Sequence, residues 1–282
     1  MVSIIILSYN TKDLLKECLE SLFTKLSSVP FEVIVLDNAS KDESVSMTRR
    51  DFPRVHVIES QVNLGFARGV NLAAKKAKGD YLLFLNSDAT LLDANLKKMV
   101  SQLEENESLA VIGGNLLNRD ETTSEPYGNF YNLPEVFNLL FMAKKAKDQL
   151  TGEWSMVDWV SGGYMLVKRK IFAAVKGFDE GFFMYIEDMD LCFRLKKEGF
   201  QVVYYAGAKA KHVGQGSSNR TFAVVNIYKG LLYFYKTRMP GWQYFIVRLL
   251  LVVKAGSAYS VGVVKNNTYL KTTYSQALSI VL

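Results

Sequence analysis

Short apolar runs alternate with amphipathic stretches through the N-terminal third of the chain. "VSIIIL" at 2–7, "FEVIVLD" at 31–37 and "DYLLFLN" at 80–86 are continuous and rich in β-branched or large apolar residues. Runs of this kind predict strands covered on both faces. "RVHVIES" at 54–60 predicts a shorter strand, with His56 as a structural residue. Between the first two runs, Leu14, Leu15, Cys18, Leu19 and Leu22 recur at helical spacing, and Asn10 or Thr11 is placed to cap that helix. Ser40 and Glu43 have the spacing of a capping box for a second helix. "GFARGVNLAAKKAKG" at 65–79 predicts a third, closed by Gly79. Strand and helix alternating in this way predict an α/β fold: a mainly parallel sheet flanked by helices, with ligands at the carboxyl ends of the strands.

Polar residues gather at those ends. The first strand runs into Ser8, Tyr9 and Asn10, the second into Asp37 and Asn38, the fourth into Asn86, Ser87 and Asp88. Any one end fits a turn or a helix cap. Three on one edge of a sheet point to a site. Further on, "LAVIGGNLL" predicts another strand, and 118–156 predicts loops and a short helix. "VDWVSGGYMLVKRKIF" at 157–172 predicts a strand interrupted by Gly162 and Gly163, either a close backbone approach to a ligand or a bulge. "FMYIEDMDLCFRLKKEGF" at 183–200 crowds Glu187, Asp188 and Asp190 at the start of a helix. The first helical turn favours anions, and Asp190 and Arg194 have the spacing of an ion pair. Carboxylates this close also raise one another's pKa, which suits acid–base chemistry.

Composition changes the picture mainly through charge. The 282-residue chain carries a formal +6, yet no Asp or Glu follows Glu198, while ten Lys or Arg do. A mildly acidic body therefore carries a basic tail, which suits a polyanionic partner. In "YKGLLYFYKTRMPGWQYFIVRLLLVVKAG" the longest uncharged apolar run is Leu249–Val253, too short to span a bilayer, and Arg248 and Lys254 interrupt any longer window. Pro240 and Gly241 separate two helical segments. The tail reads as a helical extension that either lies in an anionic membrane interface or packs on the body. Cys18 and Cys192 are far apart and read as reduced, buried thiols. The chain enters its first strand directly, without a basic leader or cleavage site, which predicts a cytoplasmic protein.

The blocks "VSIIILSYN", "VIVLDNASKDES", "NLGFARGVN", "YLLFLNSDATL", "WVSGGYMLVKR", "GFDEGFFMYIEDMDLCFRLKKEGF" and "HVGQGSS" occur in that order. Together they resemble an inverting family 2 glycosyltransferase of the GT-A fold, and within it the bacterial rhamnosyltransferases of O-antigen, capsule and cell-wall glycan synthesis. The resemblance implies a Rossmann-like, mixed but mainly parallel sheet in a catalytic domain over 1–220. Residues 1–115 would bind the nucleotide-sugar and 116–220 the acceptor, with 221–282 a basic amphipathic tail. It implies donor binding by Ser8, Asn10, Asp37, Asn38, Gly65, Arg68, Asn71, Asn86 and Ser87. A divalent metal, Mg²⁺ or Mn²⁺, falls to Asp88 and His212; the first acid of the family's Asp-x-Asp block is Asn86 here. Asp188 is the implied base and Glu187 a positioning group. Trp159, Gly162, Gly163, Tyr185 and Asp190 are implied on the acceptor side. The implied partners are a nucleoside-diphosphate sugar, with dTDP-rhamnose favoured over a UDP-hexose, and a glycan or lipid-linked glycan acceptor. A peripheral contact with the inner face of the cell membrane follows, and nucleic acid is not an expected partner. Two other readings compete. A nucleotidyltransferase would want a glycine-rich basic loop near the N-terminus, which is not seen. A nucleic-acid-binding module would explain the basic tail but not the strand-end acids.

Overall fold

The computed structural model describes residues 1–26, 29–124, 126–142, 150, 152–212 and 219–282. The apolar runs form the strands expected of them: β1 (Val2–Ser8), β2 (Phe31–Asp37), β3 (His56–Glu59) and β4 (Tyr81–Asn86). α1 (Lys12–Lys25), α2 (Ser44–Asp51) and α3 (Gly65–Ala74) join them. Next come β5 (Ala89–Leu91), α4 (Leu96–Glu105), β6 (Leu109–Leu117), β7 (Tyr127–Gly128) and α5 (Leu133–Phe141). β8 (Trp154–Met156), β9 (Trp159–Val160), β10 (Tyr164–Lys168), α6 (Arg169–Ala174), α7 (Glu187–Lys197) and β11 (Gln201–His212) follow. The C-terminal helices are α8 (Arg220–Arg238), α9 (Gly241–Val264) and α10 (Thr268–Val281).

The main sheet has the order β3-β2-β1-β4-β10-β6-β11-β5, with β8 also pairing with β11. β3, β2, β1 and β4 are mutually parallel, as are β6 and β11. β10 runs antiparallel between β4 and β6. Register brings the strand ends together: Ser8 lies opposite Asp37, and Leu7 opposite Asn86. Because β10 is reversed, its first residue, Tyr164, lies opposite Leu85 at the same edge. β1 and β2 read as unbroken apolar runs because both faces are covered. Ile4, Ile6, Val33 and Val35 pack with Leu15, Cys18, Leu19 and Leu22 of α1. On the other face, Phe66, Phe84, Phe172 and Phe178 form a ring cluster, with centroids 5.1–5.6 Å apart.

Two local expectations are corrected. Ser40 and Glu43 form no capping box; Ser40 Oγ instead accepts the Asn10 amide. Asp42 takes over, accepting the amides of Lys12 and Ser44 and so tying together the starts of α1 and α2. Gly79 does not close α3, which ends at Ala74. It sits against β1, where a Cβ would lie 2.7 Å from the Ser3 nitrogen, so its lack of a side chain serves packing rather than capping.

The chain divides into two compact units. The first, Met1–Asn129 with Leu150–Glu180 and Asp188–Ser217, holds the main sheet. The second joins Ser218–Leu282 to Phe130–Gln149 and Gly181–Glu187. Inside it α8, α9 and α10 pack on one another and α5 packs on α9. Gly262 lets α9 approach α10 closely, since a Cβ there would lie 2.8 Å from Leu270 Cβ. The Tyr235 hydroxyl donates to the Tyr131 carbonyl at 2.7 Å.

Candidate active site

β1 ends in a chain of hydroxyls. Ser8 and Thr11 share a hydrogen bond of 3.0 Å, and Thr11 Oγ1 donates to Ser87 Oγ at 3.0 Å. The loop after β1 is thus tied to the loop after β4. Thr11 was expected only as a cap; it makes no side-chain cap, because its hydroxyl is used here. Asn10 adopts a left-handed backbone, φ 52°, and its side chain accepts the Lys41 amide. Ala39, just past β2, is also left-handed at φ 68°. Non-glycine residues at positive φ are uncommon and gather at functional loops.

Asp37, 4% exposed, ends β2. Its Oδ2 accepts the Ser40 amide at 2.9 Å, while its buried Oδ1 has no partner among the described residues. A buried carboxylate oxygen left unmatched is costly and calls for a donor from elsewhere. Asn38, expected to touch the donor, is buried with both ends of its amide engaged: it accepts from Leu64 and donates to Asn63. It holds the turn into α3, where Gly65 has φ 76°. Asn71 is likewise a staple: its amide bonds the carbonyl and nitrogen of Phe178 at 2.8 and 3.0 Å. Both amides are engaged in holding the chain around α3. Arg68 is exposed and lies 3.6 Å from a Glu180 carboxylate oxygen.

Past β4, β5 pairs with β11 so that His212 lies opposite Ala89, the neighbour of Asp88. His212 Nε2 is 3.1 Å from Asp88 Oδ1 and 3.2 Å from the Asn86 amide nitrogen. One ring nitrogen cannot both donate to the carboxylate and accept from the amide, so only one of these two contacts is a hydrogen bond in either tautomer. Two ligands about 2.1 Å from a hard cation, at right angles, stand about 3 Å apart, so the Asp88–His212 spacing fits two adjacent ligands of one ion. Among the described residues no third His, Cys, Asp or Glu joins them. Phosphate oxygens and water would have to complete the shell, as is common for divalent cations at diphosphates. Residues 213–218, the glycine-rich stretch after His212, lie outside the described residues. Cys18 sits beneath this loop as a neutral thiol, its pKa pushed up by burial.

Gly162 and Gly163 turn the chain into β10 at the same edge. The Gly163 carbonyl accepts the Asn86 amide at 3.1 Å, and the Gly162 N–H donates to Asp188 Oδ2 at 3.2 Å. The Met189 N–H donates to the other oxygen, Oδ1, at 2.8 Å. Asp188 is therefore held at both oxygens by backbone donors. Burial pushes its pKa above the ordinary carboxylate value, against the opposing pull of those two hydrogen bonds. A Cβ on Gly163 would lie 2.9 Å from the Asn86 amide nitrogen. The glycines thus allow a close backbone approach, made to the acid-bearing loops themselves.

α7 opens at Glu187, which is buried. Tyr185 and Ile186 just before it have φ 69° and 74°. A β-branched residue there is a true outlier, and such strain persists only where its surroundings impose it. Asp190, expected on the acceptor side, is fully buried and bonds Arg194 Nε at 2.7 Å. Arg194 also donates to the carbonyls of Val175 and Gly177. A carboxylate with no exposed surface cannot reach an acceptor, so Asp190 is part of the scaffold. Trp159 is partly buried, with its indole N–H on the Asn129 carbonyl at 2.8 Å.

The sequence profile of glycosyl transferase family 2 matches residues 3–175. The chain belongs to that family. A second profile, the N-terminal domain of galactosyltransferase, matches 155–215, the segment carrying the Gly162 turn and the α7 acids. The glycosyltransferase is 31% identical over 236 residues to rhamnosyltransferase WbbL of Escherichia coli, covering 79% of this chain and 86% of WbbL. It is 25% identical over 239 residues to the N-acetylglucosaminyl-diphospho-decaprenol L-rhamnosyltransferase of Mycobacterium tuberculosis, covering 76% and 77%. Among solved structures it is similar to GalNAc-T7 with UDP, GalNAc and Mn²⁺: TM-score 0.62, 14% identity, 83% of this chain and 47% of that one. The mannosyltransferase PcManGT of Pyrobaculum calidifontis, with GDP-Man and Mn²⁺, gives a TM-score of 0.59 at 17% identity, covering 99% and 85%. The fold expectation holds: this enzyme is a GT-A glycosyltransferase with a mixed, mostly parallel sheet and C-terminal helices.

Proposed function

We propose that this glycosyltransferase moves a sugar, rhamnose in the favoured case, from a nucleoside diphosphate to a hydroxyl of a glycan or lipid-linked glycan, with inversion. The observation that carries it is the meeting, at one sheet edge, of a desolvated Asp188 held by two backbone N–H groups with the Asp88–His212 pair. Asp188 takes the acceptor proton as the hydroxyl attacks the anomeric carbon, and its raised pKa makes it a better base than an ordinary aspartate. Asp88 and His212 would hold a divalent cation, Mg²⁺ or Mn²⁺, which would supply positive charge against the departing diphosphate. Asn86 turns its amide toward His212. The unmatched Asp37 Oδ1 accepts a donor from the ribose or base. Ser8, Asn10 and Ser87 shape the same pocket. Arg68, Gly65, Glu187, Tyr185 and Trp159 keep the roles inferred from the family resemblance, in donor or acceptor binding. The two rhamnosyltransferase relatives support the sugar, and the second of them supports a polyprenyl-diphosphate-linked acceptor. An acceptor of that kind supports a position at the cytoplasmic face of the cell membrane.

Thermal shift with dTDP-rhamnose, UDP-glucose and UDP-N-acetylglucosamine, each with and without Mn²⁺, tests the donor. The largest stabilisation should come from dTDP-rhamnose with metal; a larger shift with a UDP-sugar would replace the proposed donor.

A further inference from the structure

The only charged residues within α9 are Arg248 and Lys254. In the linear sequence they break the apolar window; in three dimensions they do not. At 3.6 residues per turn, each lies about 120° round the helix from the line through Trp242, Leu249 and Val253. Arg248 donates to the carbonyls of Val281 and Leu282, at 2.6 and 2.7 Å, at the end of α10. The Lys254 ammonium lies 5.8 Å from the centre of the Phe141 ring of α5. Val247, Leu251, Ala255 and Gly262 fill the opposite, buried stripe. The exposed stripe is therefore uncharged for the whole helix. Trp242, Phe245 and Leu249 on it are 59%, 67% and 62% exposed, and Val253 and Val264 continue it. From Trp242 to Val264 it runs about 33 Å at 1.5 Å per residue. Among the described residues α9 is the one helix long and apolar enough to cross a membrane. Its inner stripe is nevertheless covered by α8 and α10, so it offers one face, not a span.

We infer that this stripe of α9 lies flat in the interface of an anionic bilayer. Charge decides the occupant. Exposed Lys236 stands six residues before Trp242 and exposed Lys265 directly follows Val264, and no acid occurs anywhere in 199–282. An anionic lipid surface complements cations at both ends of an apolar stripe with an aromatic at its start. A second copy packed antiparallel on the same stripe would set Lys236 against Lys265 of the other chain, like against like. The inference extends the proposed function by naming the face that meets the membrane.

The test uses the full chain and co-sedimentation with vesicles of phosphatidylcholine alone or mixed with phosphatidylglycerol. The wild type should bind the anionic vesicles, less tightly as salt rises. Phe245→Glu with Leu249→Glu should lower the bound fraction about tenfold or more, with an unchanged melting temperature, because both residues are exposed. Lys236→Glu with Lys265→Glu should weaken binding only to the anionic vesicles, a second reading that leaves the apolar stripe untouched. No binding by the wild type, wild-type binding by both variants, or a dimer in solution that Phe245→Glu with Leu249→Glu dissociates would each overturn the inference. Thermal shift with nucleoside diphosphate, run on the same proteins without vesicles, reports separately on the catalytic reading.

Discussion

Asp188 shows how one side chain's surroundings set both activity and stability. Burial raises its folded-state pKa, so ionised Asp188 costs stability. That cost is absent below the unfolded-state value of about 3.9 and complete once the pH passes the folded-state value. Asp188→Asn removes the charge but keeps a single oxygen, so one of the Gly162 and Met189 donors loses its acceptor. The variant should lose transfer by a factor on the order of 10²–10⁴, retain nucleoside-diphosphate binding, and have a melting temperature that compares more favourably with wild type at pH 8 than at pH 3, because only at pH 8 does the wild type carry the buried charge. Calorimetry at the two pH values checks this; a difference from wild type that is the same at both pH values would contradict the desolvation argument. For the wild type, kcat/KM should fall on the acid side at a pH above the ordinary carboxylate range, because the base must be ionised to act. At Asp190 the same chemistry is purely structural. Arg194→Met would leave a fully buried carboxylate without its cation, at a cost of about 3–5 kcal/mol. Urea titration measures that loss, and it should fall on stability rather than on KM.

Elements matter here through register and reversal. Parallel pairing of β1 with β2 and β4 lines up Ser8, Asp37 and Asn86, and the antiparallel β10 brings Gly162 and Gly163 to the same edge. Gly163→Ala tests that placement. The new methyl would meet the Asn86 amide at 2.9 Å, forcing the side chain that faces His212 to move. Overpacking of this kind costs about 1–3 kcal/mol. The larger effect should be on the metal pair: a weaker response to Mn²⁺ in thermal shift with nucleoside diphosphate. An unchanged response would mean Asn86 has no part in that site. Much of the element pattern was legible because apolar runs and helical spacing are local signals. The capping box was not, since Ser40, Asp42 and Asn10 exchange partners across two loops that no local pattern relates.

On the scale of the whole molecule, the enzyme is a sheet-bearing unit with a second, helical unit that gathers α5 and α8–α10. Among the described residues only Asp88 and His212 are placed to hold the proposed cation, so metal affinity should depend on the donor. Mn²⁺ alone should shift the melting temperature little. Mn²⁺ with a nucleoside diphosphate at about 100 times its Kd should stabilise by about 2.7 kcal/mol, and Asp88→Ala or His212→Ala should abolish the metal-dependent part. A full Mn²⁺ response with Asp88→Ala would remove that residue from the site.

Periodicity and strand-end chemistry, read from the chain alone, determined the α/β class, the strands and the edge at which the polar residues collect, because each depends on neighbours close in sequence. Family resemblance in the ordered motifs added the glycosyltransferase reading. Tertiary structure alone decided which acids remain available. Asp190, Asn38 and Asn71 have the right composition and motif position for a site, yet long-range partners occupy or bury them, while Thr11 gained a role through Ser87, far along the chain. It also decided the character of α9: two charges that break the apolar run in sequence lie off its exposed stripe, because a helix spreads successive residues round its axis.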